Sequence, residues 1–412
     1  MSTAPGPVID ADRVLADLRE LARRTGGEEG ARRVCWGPGW RDARSLEAEL
    51  LAEIGLDAER DEAGNLWAYL EGESKGALAV GSHVDSVPAG GWLDGALGAM
   101  AGIGVLRAWA QCPARPPSTL AFVDWADEEG ARFGRSLFGS SAFSGTLDPA
   151  AVGNLADGDE TTLREALAGN GLDLDRVLEC GARRERLRAL VELHIEQGPV
   201  LETEGLATAA VRGCAGVERH RFRIAGQASH AGTTPMELRR DAGLAAADAA
   251  LRIEAIGREH GGVATTGVIR VEPGIPTTVG GRAELVADLR HPEAAELAAM
   301  LDEARAAVGD SAAARECDHS QEPIWRIEPI AFDRGLVAKA TEAARSVGGS
   351  ARALTSGALH DAAEAARVVP AAMLFVASLG GVSHAAEEDT DEADLRAGIE
   401  AFGQLANAAL EV

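Results

Sequence analysis

The 412-residue sequence predicts an α/β fold, in which a discontinuous domain with a mixed sheet flanked by helices is interrupted by a smaller inserted α+β domain. Buried apolar strands alternate with helices in the first half of the chain, which is typical of α/β domains. Strands with one exposed face appear after Cys214, and the first pattern returns near the C-terminus. We place the first domain at residues 1–214 and 329–412, and the inserted domain at residues 215–328.

The elements of the first domain follow from the spacing of its apolar residues. Val14, Leu15, Leu18 and Leu21 share one helical face, and the pair at residues 64–65, Gly-Asn, is a turn signal before a strand. The predicted elements are helices over residues 11–24, 43–54, 95–110, 335–347 and 391–410, and strands over residues 66–70, 78–80, 119–125 and 371–376.

The inserted domain is predicted to have the order strand, helix, strand, strand, helix. This order suits a small open-faced sheet covered by helices. Alternating apolar and polar residues predict strands over 218–225, 263–271 and 282–290, whereas Ala-rich helical spacing predicts helices over 235–256 and 292–307.

Composition and charge exclude several classes of protein. Hydrophobic residues make up 46% and charged residues 25%, which is typical of a globular chain. The net charge of −25 argues against nucleic acid and anionic membranes as partners. Five cysteines without a CxxC pair argue against a disulfide framework or a zinc–cysteine site. The N-terminus has no signal-peptide pattern and the apolar stretches are too short to span a bilayer, so we expect a cytoplasmic protein.

Two segments place histidine and acidic residues where predicted strands end. In GSHVDSVPAGGWLDG, His83 follows an apolar strand, Asp85 can orient its imidazole, and Asp94 lies in a Gly-rich loop that allows close approach to a metal. In DWADEEGARFG, Glu128 and Glu129 follow a strand and an aspartate. Clustered carboxylates repel unless a cation or proton lies between them, so one can bind a metal and another can act as general base. A solvated surface turn is the alternative for each segment.

Two further histidines complete a set of metal ligands. His194 lies on the polar face of the strand in VELHIEQGP, and His384 follows a buried strand in FVASLGGVSHAAEED, with Glu387 close by in sequence. Three histidines and two or more carboxylates suit a pair of zinc-like ions. The carboxylate that bridges such a pair should lie in a tight loop, and Asp94 meets this requirement.

These segments together resemble the di-zinc aminoacylase/carboxypeptidase-type metallopeptidase family, and more closely its amidase–hydantoinase–carbamoylase branch. That branch includes N-carbamoyl-L-amino-acid hydrolases, ureidopropionases and allantoate amidohydrolases. The resemblance extends from about Asp61 to the C-terminus and is carried by GSHVDSVPAGGWLDGALG, DEEGARFG, HIEQGPVLE, GQASHAGTTPMELRRDA, SGALHDA and GGVSHAAEE. It implies that one metal is held by His83, Asp94 and His194, that the other is held by Asp94, Glu129 and His384, and that Glu128 is the general base.

The resemblance also assigns roles outside the ligand set. The first domain would be the catalytic, metal-binding domain, and the insertion would be a lid and dimerisation domain. His230 would stabilise the oxyanion in the active site of the other subunit of a homodimer, and Arg290 would bind the substrate carboxylate. The substrate pocket would include Gln197, Thr277 and His360. The sequence departs from the branch at Thr277, where asparagine is usual, and at Leu359, where a small residue is usual.

The expected enzyme is a metal-dependent amidohydrolase that cleaves the C–N bond of N-carbamoyl-L-amino acids to amino acid, CO2 and ammonia. The alternatives are an allantoate or ureidoglycolate-type amidohydrolase, a ureidopropionase, an aminoacylase or dipeptidase, and, last, an inactive binding homologue. The expected cofactors are two divalent ions, with zinc ahead of manganese, cobalt or nickel.

Overall fold

The computed structural model describes residues 6–411. The chain forms two compact units. The first comprises the described residues up to Arg212 together with those from Ala331 onward, and the second comprises Gly213–Ile330. Within residues 6–411, no helix is long and apolar enough to cross a membrane.

The strands and helices are numbered in chain order. The strands are β1 (Gly26–Gly27), β2 (Gly30–Ala31), β3 (Glu59–Arg60), β4 (Leu66–Leu70), β5 (Ser74–His83), β6 (Ser118–Trp125), β7 (Leu187–Ile195), β8 (Thr208–Cys214), β9 (Gly216–Ala225), β10 (Ser229–His230), β11 (Val263–Glu272), β12 (Thr278–Val279), β13 (Arg282–His291), β14 (Asp318–Ile327), β15 (Ile330–Ala331), β16 (Leu354–Ser356) and β17 (Ala371–Val376). The helices are α1 (Ala11–Thr25), α2 (Pro38–Ala52), α3 (Ala96–Ala110), α4 (Phe138–Ser144), α5 (Pro149–Val152), α6 (Leu163–Gly169), α7 (Val200–Glu204), α8 (Ala242–Glu259), α9 (Ala294–Ala313), α10 (Arg334–Ser346), α11 (Asp361–Ala365) and α12 (Glu392–Ala409). Short 3₁₀ segments cover Leu174–Arg186, Met236–Leu238 and Leu379–Gly381.

The first unit is built on a mixed sheet with the strand order β15, β8, β17, β7, β5, β6, β4, β3, and β16 pairs with β8. The strands β17, β7, β5 and β6 are parallel to their neighbours within this group, whereas β8 and β4 pair antiparallel with its outer members. Strand β6 is buried along almost its whole length, as expected for a strand covered by helices on both faces. The predicted α/β class with a mixed sheet and flanking helices is confirmed.

The parallel core of this sheet decides where functional residues can meet. The carboxyl ends of β5, β6, β7 and β17 lie at one edge of the sheet, because these neighbouring strands run in the same direction. His83 is the last residue of β5, and His194 is the second-last residue of β7. The acidic loop follows β6, and the segment that carries His384 follows β17. Ligands of open α/β sheets bind at this edge.

The second unit contains a four-stranded antiparallel sheet with the order β11, β13, β9, β14. Helices α8 and α9 pack on one face of it, and apolar side chains fill the layer between the helices and the sheet, among them Ala245, Ala249, Ile253, Leu285 and Met300. Strands β10 and β12 form a separate short ladder.

Two predictions for this region are wrong in detail. The helix predicted from residue 235 begins at Ala242, because Pro235 opens a 3₁₀ turn and the Asp241 side chain caps the helix at the backbone N–H of Leu244. Strand β14 has no counterpart among the predicted elements. Its paired strand β9 carries regular alternation, but β14 is broken by a register shift between Pro323 and Trp325.

Candidate metal centre and active site

The loop before α3 brings Asp94 to the carboxyl end of β5. Gly95, which follows Asp94, has φ 64°, and a Cβ at this position would lie 2.4 Å from the His83 ring. Only glycine combines this backbone conformation with such close approach. The carboxylate of Asp94 is therefore placed directly against the two histidines that β5 and β7 supply.

A first group of possible ligands consists of His83, Asp94 and His194, all buried. Asp94 Oδ1 lies 3.1 Å from His194 Nε2 and 3.8 Å from His83 Nε2. The Nδ1 atoms face backbone carbonyls, His83 that of Asp85 at 3.1 Å and His194 that of Ile195 at 2.9 Å. A carbonyl can only accept, so each Nδ1 carries a proton and Nε2 is directed to the site, as in metal-binding histidines.

A second group consists of Asp94, Glu129 and His384. His384 Nε2 lies 3.3 Å from Asp94 Oδ2 and 3.4 Å from Glu129 Oε2. The two oxygens of Asp94 thus face different histidines, Oδ1 towards His194 and Oδ2 towards His384. A carboxylate in this arrangement can bridge two cations.

The donor set fits two divalent ions. The Nε2 atom of His83 is buried and has no hydrogen-bond partner among residues 6–411, and such an atom is costly unless something binds it. One group offers two imidazoles and a carboxylate, and the other offers one imidazole and two carboxylates. Ligands of these kinds suit zinc and related transition metals.

Burial and mutual charge shift the pKa values of the ligands. Burial lowers the pKa of His83 to about 3, so this ring is neutral. Burial also disfavours the charged form of His194, but hydrogen bonding to Asp94 and the charge of that carboxylate raise its pKa to about 9. A hydrogen bond to Asp94 raises the pKa of His384 to about 9, and burial, reinforced by Asp94, raises the pKa of Glu129 to about 7. Without metal the site therefore retains protons that bound cations would displace.

Glu128 lies beside the first group. Its Oε2 is 3.9 Å from His83 Nε2, and burial, followed by the charge of Asp361, raises the pKa of Glu128 well above its usual range. The preceding residue, Asp127, has φ 57°, a left-handed conformation that is uncommon for a residue with a side chain and that recurs at functional sites. The acidic loop thus presents Glu128 to the site without making it part of either ligand group.

Asp85 supports the centre in a way that differs from the prediction. Its backbone carbonyl, rather than its carboxylate, accepts the hydrogen bond from His83. The carboxylate accepts the backbone N–H groups of Glu128 at 3.2 Å and Glu129 at 3.1 Å. One residue thereby fixes both a histidine ring and the acidic loop.

The structure adds two residues that the sequence did not single out, Ser383 and Glu388. Glu388 accepts the backbone N–H groups of Leu93 at 3.1 Å and Asp94 at 3.0 Å, and the Ser383 hydroxyl at 2.9 Å. The sequence pointed to Glu387, one residue earlier, because it did not show how the loop after His384 turns. The only available signal was the acidic pair itself.

Gln197 and His360, both predicted to contact the substrate, lie next to the ligands. The Gln197 amide donates to Asp94 Oδ2 at 2.9 Å. The His360 ring packs 4.4 Å from the His194 ring, and its Nε2 hydrogen-bonds with the Ser356 hydroxyl at 2.9 Å. Both side chains therefore contact the ligand groups of the first unit.

Glu192 also lies beside His194. Glu192, His194 and His360 form a third cluster of buried side chains that could act as metal ligands. The Glu192 carboxylate already accepts the Ser82 hydroxyl at 2.5 Å and the Ala362 N–H at 3.0 Å. Because the Glu192 carboxylate is already hydrogen-bonded, we infer that Glu192 and His360 pack around His194 and do not form a further metal site.

The remaining predicted residues, His230, Thr277 and Arg290, belong to the second unit. His230 is exposed and its Nδ1 accepts the N–H of Gly232 at 3.1 Å. The carbonyl of Thr277 accepts the N–H of Ala231 at 2.8 Å, so Thr277 lies beside His230 at the β10–β12 ladder. Arg290 donates to Asp288 Oδ1 at 2.7 Å.

Comparison with known proteins decides the family. Residues 79–408 match the model of peptidase family M20/M25/M40. The chain belongs to this family. It is similar to an N-carbamoyl-L-amino acid amidohydrolase of Geobacillus stearothermophilus, at 37% identity over 94% of each chain. It is also similar to an allantoate amidohydrolase of Bacillus subtilis, at 32% identity over 91% of this chain and 92% of that protein.

Solved structures give the same result for the fold. An amidase of the hydantoinase/carbamoylase family from Burkholderia multivorans superposes with a TM-score of 0.91 at 32% identity, covering 97% of this chain and 98% of that one. The predicted family and branch are confirmed. The chain is accordingly a hydrolase that acts on carbon–nitrogen bonds outside peptide bonds.

Proposed function

We propose that this amidohydrolase cleaves the C–N bond of N-carbamoyl-L-amino acids and releases the amino acid, CO2 and ammonia. The observation that carries the proposal is the double use of Asp94, whose two oxygens face two separate histidine-containing groups. Glu128 lies beside this pair of groups and is absent from both. Relatives that cleave carbamoyl and ureido acids support the substrate class.

The proposed chemistry needs one proton carrier. The two groups would hold divalent ions, and such ions would supply Lewis acidity to a carbonyl and to water. Glu128 takes the proton from the attacking water and passes it to the leaving nitrogen. Burial holds the pKa of Glu128 high, and nearby cations favour the carboxylate form that can accept a proton.

The second unit is proposed to act on the substrate as a lid and dimerisation domain. His230 of one subunit stabilises the oxyanion in the other subunit's site. Arg290 forms a forked pair with the substrate carboxylate, a geometry that guanidinium groups favour. Gln197, Thr277 and His360 line the substrate pocket. Thr277 offers one hydroxyl where the usual asparagine offers a donor and an acceptor, so this residue bears on which ureido acid is accepted.

A homodimer is supported by the exposed apolar surface of the second unit. Ile269 and Val271 are 47% and 39% exposed on β11, an edge strand of its sheet, and Leu244 and Leu251 are 47% and 69% exposed on α8. Open apolar edges of this kind are usually covered by a partner.

Complementation tests the shared site. Coexpressed His230→Ala and Glu128→Gln chains should regain about a quarter of wild-type activity, because half of the dimers are mixed and each contains one intact site. No regain in mixed dimers, or full activity of a monomer, would place His230 outside the proposed role.

Zinc is the proposed resident metal, with manganese, cobalt and nickel as alternatives, because imidazole and carboxylate donors accept all four. Metal analysis of protein purified without added metal, followed by reloading with each ion, tests the choice. If an ion outside these four occupied the protein to the same extent, the proposed choice of metal would be contradicted.

An assay panel tests the substrate. Ammonia release is measured from N-carbamoyl-L-amino acids, N-carbamoyl-β-alanine and allantoate, and free amine is measured from N-acetyl amino acids. Turnover of the carbamoyl amino acids above the rest supports the proposal. The second candidate, allantoate, is supported by the similarity to the Bacillus subtilis relative. Turnover of allantoate alone would replace the first candidate with it.

A further inference from the structure

Arg33 is a fully buried arginine in the segment between β2 and α2. The carboxylates that act on its charge include those of Asp94, Asp85 and Glu129. Burial lowers the pKa of the Arg33 guanidinium, and these carboxylates oppose that effect. An arginine side chain stays protonated in proteins, so Arg33 places a permanent positive charge within reach of an acidic metal centre.

The side chain of Arg33 binds both ends of one loop, the segment Val84–Gly91, which we call the ligand loop. Its Nε donates to the carbonyl of Val84 at 2.6 Å, and its Nη2 donates to the carbonyl of Gly91 at 3.4 Å. The two acceptors are backbone atoms, which the planar guanidinium can reach together through separate nitrogens.

The backbone around Arg33 ties down the same loop. The N–H of Arg33 donates to the Ser86 hydroxyl at 3.2 Å, and the N–H of Ser86 donates back to the carbonyl of Arg33 at 3.2 Å. Ala31 pairs with Gly90 as an antiparallel bridge. Gly30 has φ 107°, and a Cβ there would lie 2.5 Å from the Gly90 carbonyl oxygen, so the two segments are in tight contact.

The ligand loop joins two of the candidate metal ligands. His83 immediately precedes it, and Asp94 follows three residues after its end. It also contains Asp85, whose carboxylate holds the backbone of Glu128 and Glu129. A shift of this loop would therefore move a histidine, the shared carboxylate and the acidic loop at once.

We propose that Arg33 is a positioning residue for the metal centre, which fixes the ligand loop so that His83 and Asp94 keep the spacing that binding of the ions requires. The inference rests on the proposed di-metal function. Without the guanidinium, the carbonyls of Val84 and Gly91 lose charged donors, and buried acceptors without donors favour rearrangement. Groups that orient metal ligands typically change metal affinity by about 10–100-fold.

The test compares Arg33→Met with Arg107→Met. Arg107 is also a buried arginine of the first unit, but it pairs with Asp17 at 2.8 Å, near the far end of α3 from Asp94. Zinc affinity of the folded fraction is measured by competition with a chelator, and thermal unfolding is followed with and without zinc. Arg33→Met should weaken zinc binding by about tenfold or more, whereas Arg107→Met should lower stability and leave zinc affinity unchanged.

Arg33→Lys separates charge from geometry. Lysine keeps the positive charge but cannot reach both carbonyls as a fork, so its zinc affinity should fall between those of wild type and Arg33→Met. If Arg33→Met does not fold, zinc affinity is measured instead in Arg33→Lys and, as a separate variant, in Ser86→Ala. Wild-type zinc affinity in the folded Arg33 variants, or an equal loss in Arg107→Met, would overturn the inference. Failure of the wild-type protein to bind zinc or a related ion would instead overturn the proposed function.

Discussion

The two halves of the candidate metal centre differ in how they are built. The side chains of His83 and His194 are 1% exposed and come from the ends of parallel strands, whereas the side chain of His384 is 50% exposed and comes from a loop. His384 also has φ 57°, a conformation that loop contacts must maintain. On the proposed function, we expect the buried half to hold its ion more tightly and the exposed half to exchange its ion.

The largest effect is expected from Asp94, because among residues 6–411 it alone belongs to both halves. Asp94→Ala should lose both ions and reduce turnover by roughly a thousandfold or more, since metal catalysis supplies several kcal/mol. Metal content by elemental analysis and kcat/KM check this. Asp157→Ala, which removes an aspartate that pairs with Arg132, is the control. One tightly held ion in Asp94→Ala would mean that the halves do not depend on a shared carboxylate.

Glu128→Gln should separate catalysis from metal binding. The variant keeps the size of the side chain and both ligand groups, so it should retain two ions while kcat falls by about 10²–10⁴-fold, the usual contribution of a general base. Glu129→Gln, its neighbour, should lose affinity for the exposed ion as well as activity. Comparable turnover in Glu128→Gln and wild type would remove Glu128 from the mechanism.

The difference in ion binding between the buried half and the exposed half is tested by His384→Ala and His194→Ala. His384→Ala should retain one ion, because His83, Asp94 and His194 are intact. His194→Ala should weaken the buried ion and expose the difference between the halves. In wild type, a chelator should remove one ion before the other. Stopped-flow measurement of metal release follows the two steps. Release of both ions at one rate would contradict the proposed asymmetry.

The smallest expected effect is on the pH dependence of stability without metal. The pKa values of His194 and His384 are raised from 6.5 to about 9 in the folded protein. A base with a raised pKa contributes stability below its unfolded pKa and loses it as pH rises towards the folded pKa. Metal-free protein should therefore lose stability between pH 6.5 and 9, whereas metal-loaded protein should not, because ions replace these protons. Thermal unfolding across this pH range measures the loss of stability. An unchanged Tm for the metal-free protein would contradict the raised pKa values of the two histidines.

Sequence patterns predicted regular elements better than loops. The helix over residues 95–110 and the strands over 66–70 and 371–376 agree with α3, β4 and β17, because a long apolar period has one stable solution in a buried layer. The helix predicted from 235 failed because its first residues are held by a proline turn. The lid and dimerisation roles assigned to the insertion stay predictions.

The sequence by itself determined the family, the α/β class of the first unit and the residue types that can bind metal, because apolar periodicity and local motifs are properties of neighbouring residues. Only the tertiary structure decided which atoms meet. It placed the two oxygens of Asp94 against different histidines. It also showed that Glu388, and not Glu387, accepts the backbone N–H of Asp94, and that the Asp85 carboxylate binds the backbone of the acidic loop. These contacts join residues far apart in the chain, and their geometry depends on loop conformations and packing that no local pattern encodes.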